Sequence, residues 1–356
     1  MRLNWKMLLG VAVVAVLLWW LFRDADLGEV WATIRSANPF QLFATCVVAM
    51  AGFAARAARW RFLLAPAQPH SPYRSRFAAV CVGFMANNLL PSGRVGELGR
   101  AYAYSRLEPV STATAFATLI VERLLDGVAV FALLVIAVLS ATFPAESLPG
   151  VLVAGIQGVT LVLGLVLVGA LAVVAFPTRS VGLCRAVATR ILPHRLATGF
   201  DEVFQGIVTG LASMRGWRHI VPALLWSFVV WIIQSLSFWI GFAAFGIDLP
   251  FAAALFTNAA IAVAVAVPAP PGYLGTFQFG ASVALVQVYS VAEEAALGFA
   301  VGWHFVNFFP VTLAGLWYAR RIGITFRDFS RRGEGPAGAS RSGTSPEVGA
   351  AGGTPR

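Results

Sequence analysis

The stretch Phe77–Glu97 reads FAAVCVGFMANNLLPSGRVGE. Its apolar part, Phe77–Leu90, is 14 residues long. As a helix it spans only ~21 Å of a ~30 Å hydrocarbon core. It then meets Pro91-Ser92-Gly93-Arg94-Val95-Gly96-Glu97, where a continuous helix is interrupted. A second stretch has the same build. Ala252–Val267 runs into Pro268-Ala269-Pro270-Pro271-Gly272-Tyr273-Leu274-Gly275 and returns as a predicted helix over Thr276–Val291. Both breaks contain the string P-x-G-x-[VL]-G, at Pro91–Gly96 and at Pro270–Gly275. Two broken apolar segments of this kind predict paired re-entrant hairpins.

The rest of the chain supplies the membrane around them. Of 356 residues, 58% are hydrophobic and 12% charged, with a mean hydropathy of +0.77. Soluble domains carry about 25% charged residues, so a disordered chain, a coiled coil and an ordinary soluble enzyme are all excluded. Full spans are predicted at Met7–Phe22, Pro39–Ala55, Gly127–Phe143, Val151–Phe176, Ile220–Phe245 and Ala296–Ala319. Met7–Phe22 follows Arg2 and Lys6 but has no small-residue cleavage site after it, so it reads as an uncleaved first helix rather than a leader.

The net charge of +10 comes from arginines strung between apolar runs, which reads as topology and anionic-lipid contact rather than a nucleic-acid face. Arginines crowd Arg56–Arg76, Arg179–Arg218 and Arg320–Arg332, whereas 144–150, 246–250 and 290–295 carry acids alone. The basic segments are therefore cytoplasmic, with both termini inside. The first hairpin must then enter from the inside and the second from the outside. The expected fold is an all-α, polytopic transmembrane bundle of about eight helices, with six full spans and two opposed re-entrant hairpins. It forms an inverted-topology repeat with halves 1–143 and 151–321, inside a membrane domain 1–332. Phe200–Met214 carries an apolar helical stripe that suits a helix lying along the membrane. Residues 333–356 are rich in Gly, Ser, Pro and Thr and read as a disordered cytoplasmic tail.

Cys46, Cys81 and Cys184 form no metal or disulfide pattern, the four histidines are scattered, and no nucleotide-binding loop is present. No metal or cofactor is expected. Candidate site residues lie at the two breaks and beside them. Asn88, Arg94, Glu97 and Arg100 belong to the first hairpin. Arg94 sits in the Gly-rich turn, where a guanidinium beside free N–H groups binds an oxyanion well, and Glu97 and Arg100 hold the turn from its return leg. The alternative is an Arg–Glu pair that merely closes the turn. Gly272 and Gly275 are candidates in the second hairpin for positive φ or close approach.

Glu122-Arg123-Leu124-Leu125-Asp126 supplies two acids sharing a helical face, with Arg123 rotated about 100° away. Such ionisable groups mark a pathway or a partner. If the span starts only at Gly127, they instead lie at the inner interface, with Arg123 a snorkelling anchor. Arg59-Trp60 reads as an interfacial anchor, and His304 and Asn307 as a helix–helix contact that can also face a cavity.

These strings together resemble the flippase-like integral membrane family that includes the transmembrane region of lysylphosphatidylglycerol synthases, the multiple peptide resistance factor. The resemblance rests on Arg59-Trp60, Asn88–Glu97 with Arg100, Glu122–Asp126, and Pro268–Gly275 followed by Phe277, and it extends over about residues 1–330. It implies a bundle that moves a lipid between leaflets. In the full-length synthases a soluble transferase domain follows the membrane region. Only the short tail follows here, so lipid aminoacylation by this chain is not expected.

The leading expectation is a bacterial inner-membrane flippase or transporter for an anionic or phosphate-linked lipid, not an enzyme, with envelope-lipid biosynthesis proteins as possible partners. The alternatives are an intramembrane lipid-modifying enzyme using Glu97, Glu122, Asp126 or His304, and a non-transporting accessory subunit.

Overall fold

The structure is a computed structural model and describes residues 26–90, 95–175, 217–266 and 271–325. The expected first span Met7–Phe22, the turn residues Pro91–Arg94, Pro268–Pro270, the stripe over Phe200–Met214 and the tail 333–356 lie outside the described residues. Within them every regular element is helical.

Helix α1 is Leu27–Ser36, started by Asp26, whose carboxylate accepts from the Gly28 N–H at 2.7 Å. Helix α2, Pro39–Leu64, begins with proline in its first turn and an Asn38 cap. Helices α3 (Tyr73–Leu89) and α4 (Val95–Leu107) pack against each other, and α5 covers Thr112–Val138 behind a Ser111 cap. Helix α6 is Gly150–Ala175, α7 is Trp217–Ala244 and α8 is Phe251–Ala264. A tight turn at Pro271–Tyr273 leads into α9, Thr276–Ser282, and α10 closes the bundle over Glu293–Ile322.

Among the described residues, four helices (α2, α6, α7 and α10) are long and apolar enough to cross a membrane. Their outward faces are apolar: Phe40, Phe43 and Val47 on α2, Leu161 and Leu165 on α6, and Phe309 and Leu313 on α10 are all exposed. Such faces suit lipid rather than water. Helix α5 has 27 residues, ~40 Å of helix, but carries Glu122, Arg123 and Asp126 near its middle. The helix expected from Gly127 thus starts earlier and ends at Val138 rather than Phe143, and it is not among those four. The helix begins at Thr112, and the charged residues that halt a hydropathy window are inside it.

The helix ends gather into two groups. At one, Gln68 Nε2 donates to Glu108 Oε2 at 2.8 Å, and Ile324 packs with Leu64, Tyr104 and Val110. Arg61, Arg74, Arg320 and Arg321 belong to this end. At the other, the Asn38 N–H donates to the Ala244 carbonyl at 2.9 Å, and Phe143, Phe256 and Tyr289 pack ring against ring. Glu146, Asp248, Glu293 and Glu294 belong there.

Helices α3 and α4 form a hairpin that starts and finishes at the basic end, where Ser75 Oγ donates to Glu108. Its legs touch: a Cβ on Gly83 would lie 2.7 Å from Arg100 Cβ, and one on Gly96 only 2.3 Å from Asn87 Cγ. Asn87 Oδ1 accepts from the Gly96 N–H at 2.8 Å, joining the legs near the tip. Helix α8 starts at the acidic end and the leg that follows α9 returns to it, with Phe251 and Tyr289 packed on one cluster. The expected single return helix is shorter than predicted. After Ser282 the ladder widens over Val283–Val288, with the Tyr289 N–H reaching the Ala284 carbonyl at 3.2 Å. The Pro271–Tyr273 turn packs on α3.

Candidate functional site

Glu122 and Asp126 are one helical turn apart, so α5 turns both carboxylates to the same inward face. Three arginines from two other helices converge on them. Arg56 and Arg59 sit three residues apart on α2, and Arg100 lies on α4. Arg59 is fully buried; its guanidinium donates to Asp126 Oδ1, to Ser227 Oγ at 2.8 Å, and pairs with Glu122 Oε1 at 2.9 Å. Arg100 places its fork on both Glu122 oxygens at 2.7 and 3.1 Å, 4.0 Å from the Trp60 ring centre. Trp231 Nε1 donates to Asp126 Oδ1 at 3.0 Å, and Trp60 Nε1 to Thr118 Oγ1 at 2.8 Å.

Two readings from the sequence are corrected here. Arg59-Trp60 is not an interfacial anchor: α2 continues to Leu64, which carries both residues into the interior, and the α5 acids neutralise the arginine there. Arg100 does not hold the first hairpin's turn with Glu97. It is bound to Glu122 on the neighbouring helix.

Arg123 differs from its neighbours. It folds back onto Glu122 at 2.9 Å and Asp126 at 3.2 Å, yet its side chain is 46% exposed. That exposure opens into a cavity of about 380 Å³, whose polar side is Arg123, Asp126 and Glu97. Phe131, Leu163 and Leu167 are among its apolar lining. Glu97 Oε2 is buried there without a hydrogen-bond partner among the described residues. Four guanidinium groups thus face three carboxylates, leaving the cluster with uncompensated positive charge. Burying an ion costs several kcal/mol, so a positive excess in a low-dielectric interior favours binding an anion.

A smaller cavity of about 150 Å³ adjoins the first, and Trp231, Tyr273, Ala262 and Val265 line both. Asn88 and Gly272, one from each hairpin, line the smaller cavity, as do Arg56, His304 and Asn307. Asn88 Nδ2 also donates to Thr312 Oγ1 at 2.8 Å. The turn at this wall is tightly wound: Gly272, Tyr273 and Gly275 have φ of 68, 59 and 83°. A Cβ on Gly272 would lie 2.9 Å from the Phe308 ring. The Gly275 N–H donates to Gln278 Oε1 at 2.8 Å, which fixes the start of α9.

Of the residues singled out in the sequence, Glu122, Arg123, Asp126 and Arg100 come together in one network, with Glu97 at its rim. Asn88 and Gly272 lie at the adjoining cavity, Gly275 lies behind it, and Arg94 is outside the described residues. Sequence reasoning missed Arg56, Arg59, Ser227 and Trp231 as site residues. Two signals were available: Arg59-Trp60 already carried the family resemblance, and the three-residue spacing of Arg56 and Arg59 puts them on one helical face, as the four-residue spacing does for the acids.

Comparison with known proteins agrees with this architecture. Residues 7–315 match the family described as the lysylphosphatidylglycerol synthase TM region. A UPF0104 membrane protein of Pyrococcus horikoshii is 25% identical over 323 residues, 86% of this chain and 93% of its own. Another from Methanothermobacter thermautotrophicus is 23% identical, over 81% and 87% of the two chains. The glycosyltransferase AglD of Haloferax volcanii is 23% identical over 86% of this chain but 52% of its own. No solved structure matches. A polytopic helical chain with this network, matched over nearly all of its described length, belongs to the lysylphosphatidylglycerol synthase transmembrane-region family.

Proposed function

We propose that this protein moves an anionic, phosphate-linked lipid between the leaflets of a bacterial inner membrane, without changing it chemically. Both termini are cytoplasmic in this reading. The two hairpins re-enter from opposite faces as the broken elements of an inverted-topology repeat, alongside six full spans. One observation carries the proposal: Arg123, half exposed at the edge of a buried network with excess positive charge, lines a cavity whose remaining lining is mostly apolar. A phosphate can pair with the guanidinium while acyl chains lie along Leu163 and Leu167. The name of the family, built on phosphatidylglycerol, supports a phosphate lipid as cargo.

A second reading, a lipid-modifying enzyme, draws on the relative named a glycosyltransferase. Against it, Glu122 and Asp126 are both committed to guanidinium groups, which keeps them from serving as proton carriers. Purified protein in liposomes with acyl-labelled phosphatidylglycerol separates the two. Transport predicts that the label changes leaflet while mass spectrometry finds the lipid intact. A chemically altered lipid would replace the proposal with the enzyme reading.

A further inference from the structure

The start of α3, at the basic end, holds an arginine that the transport reading does not use. Arg76 is only 5% exposed, and its Nε is buried without a hydrogen-bond partner. Among the described residues Arg76 forms no ion pair. The acid of this region, Glu108, is engaged elsewhere: its two oxygens accept from Gln68 Nε2 and Ser75 Oγ. Ser75 therefore faces α4, and Arg76, one residue on, is turned about 100° away from it. The ionisable groups that act on Arg76 are Tyr104, Arg61 and Tyr73, two phenols and a second guanidinium. The Tyr104 hydroxyl is itself hydrogen-bonded to Gln68 and Ser71. Helical side chains lean toward the N-terminus, and the Arg76 guanidinium lies 5.9 Å from the ring centre of Tyr73, the first residue of α3. Pro72 caps that helix without a side-chain acceptor, so the N–H groups of its first turn remain available.

We propose that Arg76 and Arg61, with the first turn of α3, bind a phosphate group at the basic end of the bundle. None of these residues lines either cavity described above, so the site is separate from Arg123 and does not rest on transport. A buried guanidinium next to a second one, with no carboxylate paired to it, leaves positive charge that an oxyanion neutralises. A helix start adds N–H donors and the positive end of the helix dipole. Phosphate can take the arginine fork on two oxygens and an N–H on a third. The phosphate belongs either to the headgroup of an anionic lipid in the adjacent leaflet or to a soluble phosphate ester. Tyr73 is 44% exposed and stacks on Phe77 at 6.1 Å, and Tyr318 packs edge-on against the same ring. Those rings give a lipid bound here an aromatic surface to lie on, which a soluble ester does not need.

The test uses the full chain in detergent, with Arg123→Gln as the parent so that the cavity contributes nothing. Native mass spectrometry with added phosphatidylglycerol should find lipid retained by this parent. Adding Arg76→Gln should weaken retention at least about tenfold, the effect of losing one charge-assisted hydrogen bond. Adding Arg61→Gln, at an exposed side chain, should weaken it as well. Adding Arg320→Gln, exposed at the same end but on α10, should leave it unchanged. Inorganic phosphate separates the two sources. Lipid retention that phosphate does not displace assigns the headgroup. If phosphate displaces the lipid, or alone raises the unfolding temperature of the parent but not of the Arg76→Gln variant, the ligand is a soluble phosphate. Either result supports the site. Binding of neither overturns it, as does an equal loss in the Arg320→Gln variant, because charge spread over the whole face would then hold the anion. If the Arg76→Gln variant does not fold, Arg61→Gln decides, and parental retention in that variant overturns the proposal.

Discussion

Glu122 is fully buried and receives Arg59, Arg100 and Arg123 within 2.9 Å. Glu122, Arg59 and Arg100 were taken out of water at a cost of several kcal/mol each, offset only while their partners remain. Removing Arg100 alone strands a carboxylate against two shared arginines, and removing Glu122 alone leaves three guanidiniums pressed together. Each should lower unfolding stability by about 3–5 kcal/mol. In Arg100→Ala with Glu122→Ala the two losses should not add, the double variant retaining at least about 1 kcal/mol more than their sum. Thermal unfolding of the detergent-purified variants reads this cycle. Strict additivity would mean that Arg100 and Glu122 do not interact. Arg123, half exposed at the cavity, should behave differently. Arg123→Gln should change stability by less than about 1 kcal/mol, because that side chain is not fully desolvated.

At the scale of elements, the second hairpin turns on Gly272, where a positive φ coincides with the Phe308 ring 2.9 Å from any added Cβ. Gly272→Val should leave the spans inserted but strain this turn and displace Phe308 from the smaller cavity. Transport by the inserted variant should fall at least about tenfold, since both a strained φ and a close contact are imposed. Full activity would mark the turn as a passive kink.

Element boundaries also show what was legible in the sequence. The two short apolar runs ending in Pro and Gly read correctly as broken helices, because proline and glycine act locally. The long helices were read short. The apolar run Pro39–Ala55 belongs to α2, which continues to Leu64, and the helix expected from Gly127 starts at Thr112. In both cases reading stopped at charges, and a sequence does not reveal that those charges neutralise one another across helices. Glu122 and Asp126 were recognisable as one face because their relation is within a helix. Arg59 was not recognisable as their partner, because that relation is tertiary.

For the whole molecule, the described residues gather basic helix ends at one side and acidic ones at the other. With both hairpins returning to the side they leave, the proposed inverted repeat makes a sharp topological statement. On a background with cysteines replaced, single cysteines at positions 70 and 106 should label from the cytoplasmic side. Those at 248 and 293 should label from the exterior. Positions 70 and 106 labelling from opposite sides would break the inverted-repeat architecture.

The central claim, that an anionic lipid changes leaflet by way of Arg123, is tested most directly by one rate. It is the flip rate of labelled phosphatidylglycerol in liposomes carrying wild-type protein or Arg123→Gln at equal amounts. The account predicts transport by the wild type and at least about a tenfold loss in the variant, whose folding is nearly unchanged, because a neutral amide cannot pair with the phosphate. A folded Arg123→Gln protein that moves the lipid at the wild-type rate would contradict it.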